Sequence, residues 1–247
     1  MKAIFLFAAI LLANTINAQS AAEHFLDALL AYQSNNFKSA MKSVDKAIKK
    51  DSTEFDFYEL KSKLQMQMNE ELEAINTFTK MLSLKPNDFL ALTNRGVLLQ
   101  KYHYFNEAIE DLEKSLIHAG NDSNKVMAYV NLSAAKSSIR DYKGAEKDLI
   151  NALKIDSLNL GILTNLAQVC DELGRGEMTL VYLKKVIAID PSYFPAYVNI
   201  GFKYQLDSNY VEAEKYFNKA MELHPNEPYT YSNRAYNRLQ LGDIKEL

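Results

Sequence analysis

The sequence predicts an all-α fold, a solenoid built from a series of antiparallel helix pairs stacked one after another. The first observation behind this prediction is a recurring motif in which an alanine precedes a large apolar residue by four positions, as in Ala74 and Phe78. The second is the composition, because 8 Gly and 5 Pro in 247 residues leave few helix-breaking positions, and 48% of the residues are hydrophobic. Repeated units of this kind pack mainly on their neighbours, so no single central core is expected.

The first 18 residues differ in composition from the rest of the chain. Met1 and Lys2 form a short basic start, residues 3–13 are apolar, and residues 14–18 are mostly polar and end in a small residue. This order is typical of a secretory signal peptide cleaved after residue 18. The apolar run is shorter than the roughly 20 residues that a membrane helix needs, and no cysteine follows it to carry a lipid. The sequence therefore predicts a bacterial protein that is exported to the periplasm or secreted, is not a lipoprotein, and does not insert into a membrane after cleavage.

The motif recurs at nearly constant steps along the chain. Its anchor position is occupied in turn by Ala40, Ala74, Ala108, Ala145, Thr179 and Ala213, separated by steps of 34, 34, 37, 34 and 34 residues. Three inserted residues, 123–125, account for the longer step. This period divides the solenoid, residues 21–247, into repeats 21–54, 55–88, 89–122, 126–159, 160–193 and 194–227 and an incomplete copy, 228–247.

Two further positions of the repeat have a consistent residue size. The fourth position is large or aromatic, with Tyr58, Leu92, Tyr129, Leu163, Tyr197 and Tyr231. The eighth is small, with Ala28, Ser62, Gly96, Ser133, Ala167, Gly201 and Ala235. Together with the 34-residue period, these residues resemble the tetratricopeptide-repeat family over the whole chain after the leader. The resemblance implies a right-handed superhelix that binds a protein or peptide on its concave face and has no catalytic activity.

The small residues at the eighth position have a physical role. They allow the two helices of one repeat to approach closely, while large residues fill the space between neighbouring repeats. We therefore predict that a bulky side chain at Gly201 overpacks the repeat.

Charge and motif content exclude several functional classes. The 28 Lys and Arg against 31 Asp and Glu give a net charge of −3 without a block of like charge, which disfavours binding to nucleic acid or anionic lipid. The four histidines are widely separated, and the sequence has no phosphate-binding loop or nucleophile elbow. The sole cysteine, Cys170, is interpreted as a core residue. We expect no enzymatic activity, no metal and no cofactor.

The candidate binding residues follow from the resemblance. In this family the first helix of each repeat lines the concave face, where asparagine side chains hold the backbone of a bound peptide. The sixth position supplies Asn94, Asn131, Asn165, Asn199 and Asn233, and neighbouring positions add Val130, Phe202 and Tyr236. An amide both donates and accepts hydrogen bonds, as a peptide backbone does. The alternative is that these amides form hydrogen bonds within their own repeats.

The ligand class also follows from the resemblance. Some members of the family bind the carboxylates of chaperone C-termini through basic residues, but the second position here holds residues such as Leu90, Met127 and Tyr229. That carboxylate clamp is not assembled. The expected lining is mostly uncharged and partly apolar, which favours an extended or helical segment with hydrophobic side chains over a strongly charged tail.

Two features admit alternatives. Arg95 stands at a position that is usually apolar, and we predict an ion pair with Asp111 in preference to a ligand contact. The sequence also stops at Leu247, within an incomplete repeat. A second interpretation is therefore an N-terminal docking or sensor segment of a larger envelope assembly or signalling protein, and self-association through the incomplete repeat is a further possibility.

Overall fold

A computed structural model describes residues 20–242, in which all regular secondary structure is helical. The first helix, α1, covers residues 20–33 of the described chain. The others are α2 (Phe37–Lys50), α3 (Phe55–Gln67), α4 (Glu71–Leu84), α5 (Phe89–Lys101), α6 (Phe105–Ile117), α7 (Asp122–Ser138), α8 (Tyr142–Ile155), α9 (Leu160–Glu172), α10 (Gly176–Ile189), α11 (Phe194–Leu206), α12 (Tyr210–Leu223) and α13 (Pro228–Leu241). The all-α prediction is confirmed. The predicted signal peptide, residues 1–18, lies outside the described residues.

The chain divides into two compact units, which meet in sequence between Gly120 and Asn121. Unit 1 contains α1–α6 and unit 2 contains α7–α13. Within each unit, helices pack mainly against the helices that precede and follow them in the sequence. This local packing is the arrangement expected of a solenoid.

One residue with a positive φ angle follows each odd-numbered helix. These residues are Asn35, Asn69, His103, Arg140, Gly174, Ser208 and Gly242. Their spacing repeats the 34-residue steps, with the same single step of 37, so the sequence period is also a backbone period. After each of the first six of these residues, the backbone N–H of the next residue donates a hydrogen bond to the carbonyl five residues before it. An example is Asn209 N–H to Tyr204 O, at 2.8 Å. This is the Schellman motif, which ends a helix and reverses the chain.

Asparagine and aspartate side chains begin several helices. Asn36, Asp88, Asn121, Asp141, Asn159 and Asn209 each accept a hydrogen bond from the backbone N–H three residues later. The cap at Asn121 also explains the structure of the inserted residues 123–125, because α7 begins directly after it. They extend the first turn of α7, which has 17 residues where α9 and α11 have 13.

The interior of each helix pair is closely packed at the small eighth position. A Cβ atom built on Gly201 would lie 2.8 Å from Cε1 of Phe217, and one on Gly96 would lie 2.8 Å from Cγ of Leu112. Both partner side chains are fully buried. Cys170 is buried in the apolar cluster of unit 2, as predicted, and burial raises the pKa of its thiol.

The predicted ion pair between α5 and α6 is confirmed. Arg95 donates to both carboxylate oxygens of Asp111, from Nε at 2.6 Å and from Nη2 at 2.7 Å. A third donor, Nη1, lies 3.0 Å from the hydroxyl of Thr79. Because Asp111 is buried, the guanidinium is committed to the interior and is not available to a ligand.

Candidate peptide-binding grooves

Unit 2 contains a cavity of about 500 Å³ between α9 and α11, which we call the α9–α11 groove. It is lined by Thr164, Asn165, Ala167, Gln168, Asp171, Glu172, Thr179, Leu183, Tyr193, Pro195, Asn199, Phe202, Lys203 and Tyr229. A second cavity of about 350 Å³, the α7–α9 groove, has Ser133, Ala134 and Tyr142 among its lining residues. The two grooves share Asn165, Gln168 and Glu172, so α9 presents the same three polar side chains to both.

The amide groups in the α9–α11 groove are uncommitted. Among the residues that the structure describes, the side chains of Asn165, Gln168 and Asn199 form no hydrogen bond. Gln168 and Asn199 are exposed, whereas Asn165 is half-buried. Their donors and acceptors therefore face the groove or solvent, in contrast to the capping asparagines.

The charged residues of the groove differ in their partners. Lys203 Nζ lies 3.0 Å from Asp171 Oδ1. Its side chain crosses Gly176, where a Cβ atom would lie 2.5 Å from Cε of the lysine. Glu172 belongs to none of the ion pairs found within residues 20–242. The neighbouring Glu172 carboxylate is the main reason that the pKa of Tyr142 is raised.

An aromatic surface borders the amide groups. Phe202 is 38% exposed and Tyr229 is 58% exposed, and both line the α9–α11 groove. Exposed rings of this size beside free amides provide apolar contact area and hydrogen bonding at one site.

Unit 1 has a smaller and more apolar counterpart, a cavity of about 270 Å³ that we call the α3–α5 groove. Asn94 lines it together with Met66 and Leu90, both of which are exposed. The charged groups at its wall, Lys63 and Glu59, form an ion pair with each other at 2.6 Å. This groove therefore offers two side-chain amides, Asn94 and Gln67, that have no hydrogen bond among the described residues, together with an apolar surface.

No family model matches this sequence. Human tetratricopeptide repeat protein 6 is 27% identical over 163 residues, which cover 66% of this chain and 31% of that protein. The chain spans about a third of the length of the curated relatives it matches. A solved tetratricopeptide repeat protein from Parabacteroides merdae superimposes with a TM-score of 0.74 at 17% identity, covering 91% of this chain and 88% of that one. This chain has the tetratricopeptide-repeat fold.

Another solved structure with this fold is YrrB, described as a tetratricopeptide-repeat protein with an unusual peptide-binding site. It has a TM-score of 0.63 and 20% identity, and the match covers 78% of this chain and 98% of YrrB. The relatives and the solved structures together support the tetratricopeptide-repeat fold of this chain.

The structure distributes the predicted site residues unevenly. It brings Asn165, Asn199 and Phe202 together in the α9–α11 groove, and it places Asn94 in the α3–α5 groove. The other predicted residues, Asn131, Val130, Asn233 and Tyr236, line none of the three grooves.

Each of those outlying residues has its own environment. Val130 is half-buried and packs against the apolar cluster of unit 2. The Nδ2 atom of Asn233 is buried without a hydrogen-bond partner, while Asn131 is half-buried. Tyr236 is 53% exposed on α13. None of the five asparagine side chains of the sixth position forms a hydrogen bond with another described residue, so the alternative of bonding within the repeats has no support there.

Sequence reasoning missed most of the groove residues, among them Gln168, Glu172, Lys203 and Tyr229. Gln168 and Phe202 occupy the same position in their repeats. Because Phe202 is a predicted site residue, the repeat period alone could have identified Gln168. Eleven of the fourteen residues that line the groove are uncharged, in agreement with the expected lining, and the three charged ones are Asp171, Glu172 and Lys203.

Neither a metal-binding cluster nor a membrane-spanning helix is present among the described residues. No cluster of three or more His, Cys, Asp or Glu side chains suited to a metal ion is found in residues 20–242. Within the same range, none of the helices combines the length and the apolar character that crossing a membrane requires.

Proposed function

We propose that this tetratricopeptide-repeat protein is a non-catalytic scaffold of the cell envelope that holds a protein or peptide segment along its odd-numbered helices. One observation carries the proposal. In the α9–α11 groove, the side chains of Asn165, Gln168 and Asn199 form no hydrogen bond with another described residue, and they lie beside the exposed ring of Phe202. A peptide segment supplies backbone groups for the amides and side chains for the ring.

The size of the groove agrees with this ligand. Its volume of about 500 Å³ falls within the range typical of sites that enclose a small ligand or a few residues of a peptide. The resemblance in fold to YrrB, described as having a peptide-binding site, supports the same class of ligand. A scaffold needs no chemistry beyond these contacts.

The most direct test is photo-crosslinking in the producing organism. A photoreactive phenylalanine analogue replaces Phe202, or replaces Val211 as a control, which is 60% exposed on α12 of the same unit. We expect specific adducts from position 202 that disappear when Asn165→Ala and Asn199→Ala are added. Equal adducts from both positions, or adducts insensitive to the two alanines, would contradict the proposal.

The envelope location is supported by the composition of residues 1–18. Intact mass measurement of the protein from a periplasmic extract tests it. We expect a mature chain that begins at Gln19. A chain retaining Met1 and found only in the cytosolic fraction would exclude export. The second interpretation, a docking or sensor segment of a larger envelope protein, stays a prediction.

A further inference from the structure

We propose that the segment bound in the α9–α11 groove carries a lysine or arginine side chain whose cationic group is received by Glu172. This inference rests on the proposed function and specifies the ligand class. It follows from the ion-pair partners of the charged residues in the groove.

Lys203 is the one basic residue among the described residues that line the groove, and it is already engaged. It pairs with Asp171 at 3.0 Å, and its stem lies against the backbone of α10 because Gly176 has no side chain. The Lys203 side chain is only 18% exposed. An acidic ligand would have to compete with Asp171 for this lysine.

Glu172 has the opposite status. It lines both the α9–α11 and the α7–α9 grooves, its side chain is exposed, and none of the ion pairs found within residues 20–242 includes its carboxylate. A carboxylate has about four acceptor positions on its two oxygens. Because no described ion pair uses these positions, the carboxylate keeps acceptor capacity for a cation.

The aromatic residues of the groove favour the same ligand charge. The faces of Phe202 and Tyr229 attract ammonium and guanidinium groups, and they also bind the apolar stem of a long basic side chain. Carboxylate and rings line one cavity of about 500 Å³, so a single short segment reaches both. Charge complementarity therefore selects a basic segment with a neighbouring apolar residue.

The test uses random dodecapeptides displayed on phage and selected on the immobilised full-length protein. The same selection is made on Glu172→Gln, on Glu177→Gln as a matched control, and on Gln168→Trp, which places a large uncharged ring where both grooves meet. Glu177 is exposed on α10 and lines neither groove. Circular dichroism melting confirms that each variant is folded, and Asn165→Ala with Asn199→Ala replaces Gln168→Trp if that variant is not.

We expect lysine and arginine to be enriched above their input frequency at one peptide position on the unmodified protein and on Glu177→Gln, but not on Glu172→Gln. For a selected peptide, Glu172→Gln or a lysine-to-glutamine change in the peptide should each weaken binding about tenfold. Because the two groups contact each other, combining both changes should weaken binding little further.

The contrary outcomes separate the two proposals. Peptides that bind the groove without basic enrichment, or with acidic enrichment, overturn the charge assignment and leave the scaffold function intact. If no peptide is retained more strongly than on the groove-filled variant, the proposed function fails together with the inference.

Discussion

Gly201 and Phe202 are neighbours on α11, yet they belong to two regions with opposite properties. Gly201 lies in the interior of its helix pair, where Phe217 leaves no room for a side chain. Phe202 lies in the α9–α11 groove and is 38% exposed. Polar groups divide in the same way, because buried Asp111 is fully engaged by Arg95, whereas Asn165 has no hydrogen-bond partner among the described residues.

We infer from this difference that stability and the proposed recognition are located on separate faces of the same helices. The interior fixes the spacing of the helices through small residues and committed polar groups. The groove keeps hydrogen-bonding capacity that folding does not use. Substitutions in the two regions should therefore affect different measurements.

Asp111→Ala should give the largest effect, because it leaves the Arg95 guanidinium with one hydroxyl partner, Thr79. We expect a loss of about 3 kcal/mol in the free energy of unfolding, measured by urea denaturation. Glu222→Ala, at a surface pair with Lys219, should change stability by less than about 0.5 kcal/mol. Exchanging the charges with Arg95→Asp and Asp111→Arg together should cost less than either single reversal, and an equal or larger cost would show that the pair is not the source of the effect.

Gly201→Leu should follow, with a net loss of about 2 kcal/mol from overpacking against Phe217. The loss is expected although leucine is intrinsically the better helix former. Ala188→Leu, which adds a similar side chain at an exposed position of α10, serves as the control in the same unfolding assay. If both variants unfold at the same urea concentration as the parent, the close approach of α11 and α12 is wrong.

Asn165→Ala with Asn199→Ala should change stability in the opposite direction. Neither amide has a hydrogen-bond partner to lose within residues 20–242, and alanine has the higher helix propensity. We expect a gain of up to about 1 kcal/mol in the free energy of unfolding. A clear loss in the free energy of unfolding would mean that these amides stabilise the fold. The proposed difference between the interior and the groove would then be wrong.

Ser208→Gly tests a turn that belongs to neither region. Ser208 has a φ of 56°, a conformation that glycine adopts without strain. The greater freedom of glycine in the unfolded chain offsets part of this benefit, so we expect a gain of about 0.5 kcal/mol. Lys147→Gly, in the middle of α8, should instead lose about 1 kcal/mol, and a loss of the same size at Ser208 would contradict this account of the turn.

Much of the fold is predictable from the sequence because its determinants are local and repeated. Residue size at two positions and the 34-residue step predict the helix pairs, and α3, α5, α9, α11 and α13 begin where the repeats were drawn. The start of α7 at Asp122 was not predicted. A capping residue, Asn121, determines it, rather than the repeat period.

The site was predicted less completely because grooves depend on which neighbours meet. The repeat position suggested Asn165, Asn199 and Phe202, but it also suggested Val130, which packs against the core. The ion pair between Lys203 and Asp171 joins residues 32 positions apart. It also depends on Gly176, in a third helix, because a side chain there would meet the stem of Lys203. A single sequence does not reveal such a combination.

The central claim is that the α9–α11 groove binds a protein segment through amides that the fold does not use. Its most direct test is calorimetric titration of the partner captured at position 202 into three forms of the protein. These are the parent, Asn165→Ala with Asn199→Ala, and Asn106→Ala with Asn218→Ala, a control pair of exposed asparagines on α6 and α12. We predict binding about tenfold weaker for the groove pair alone. Equal affinity for all three forms would contradict the account.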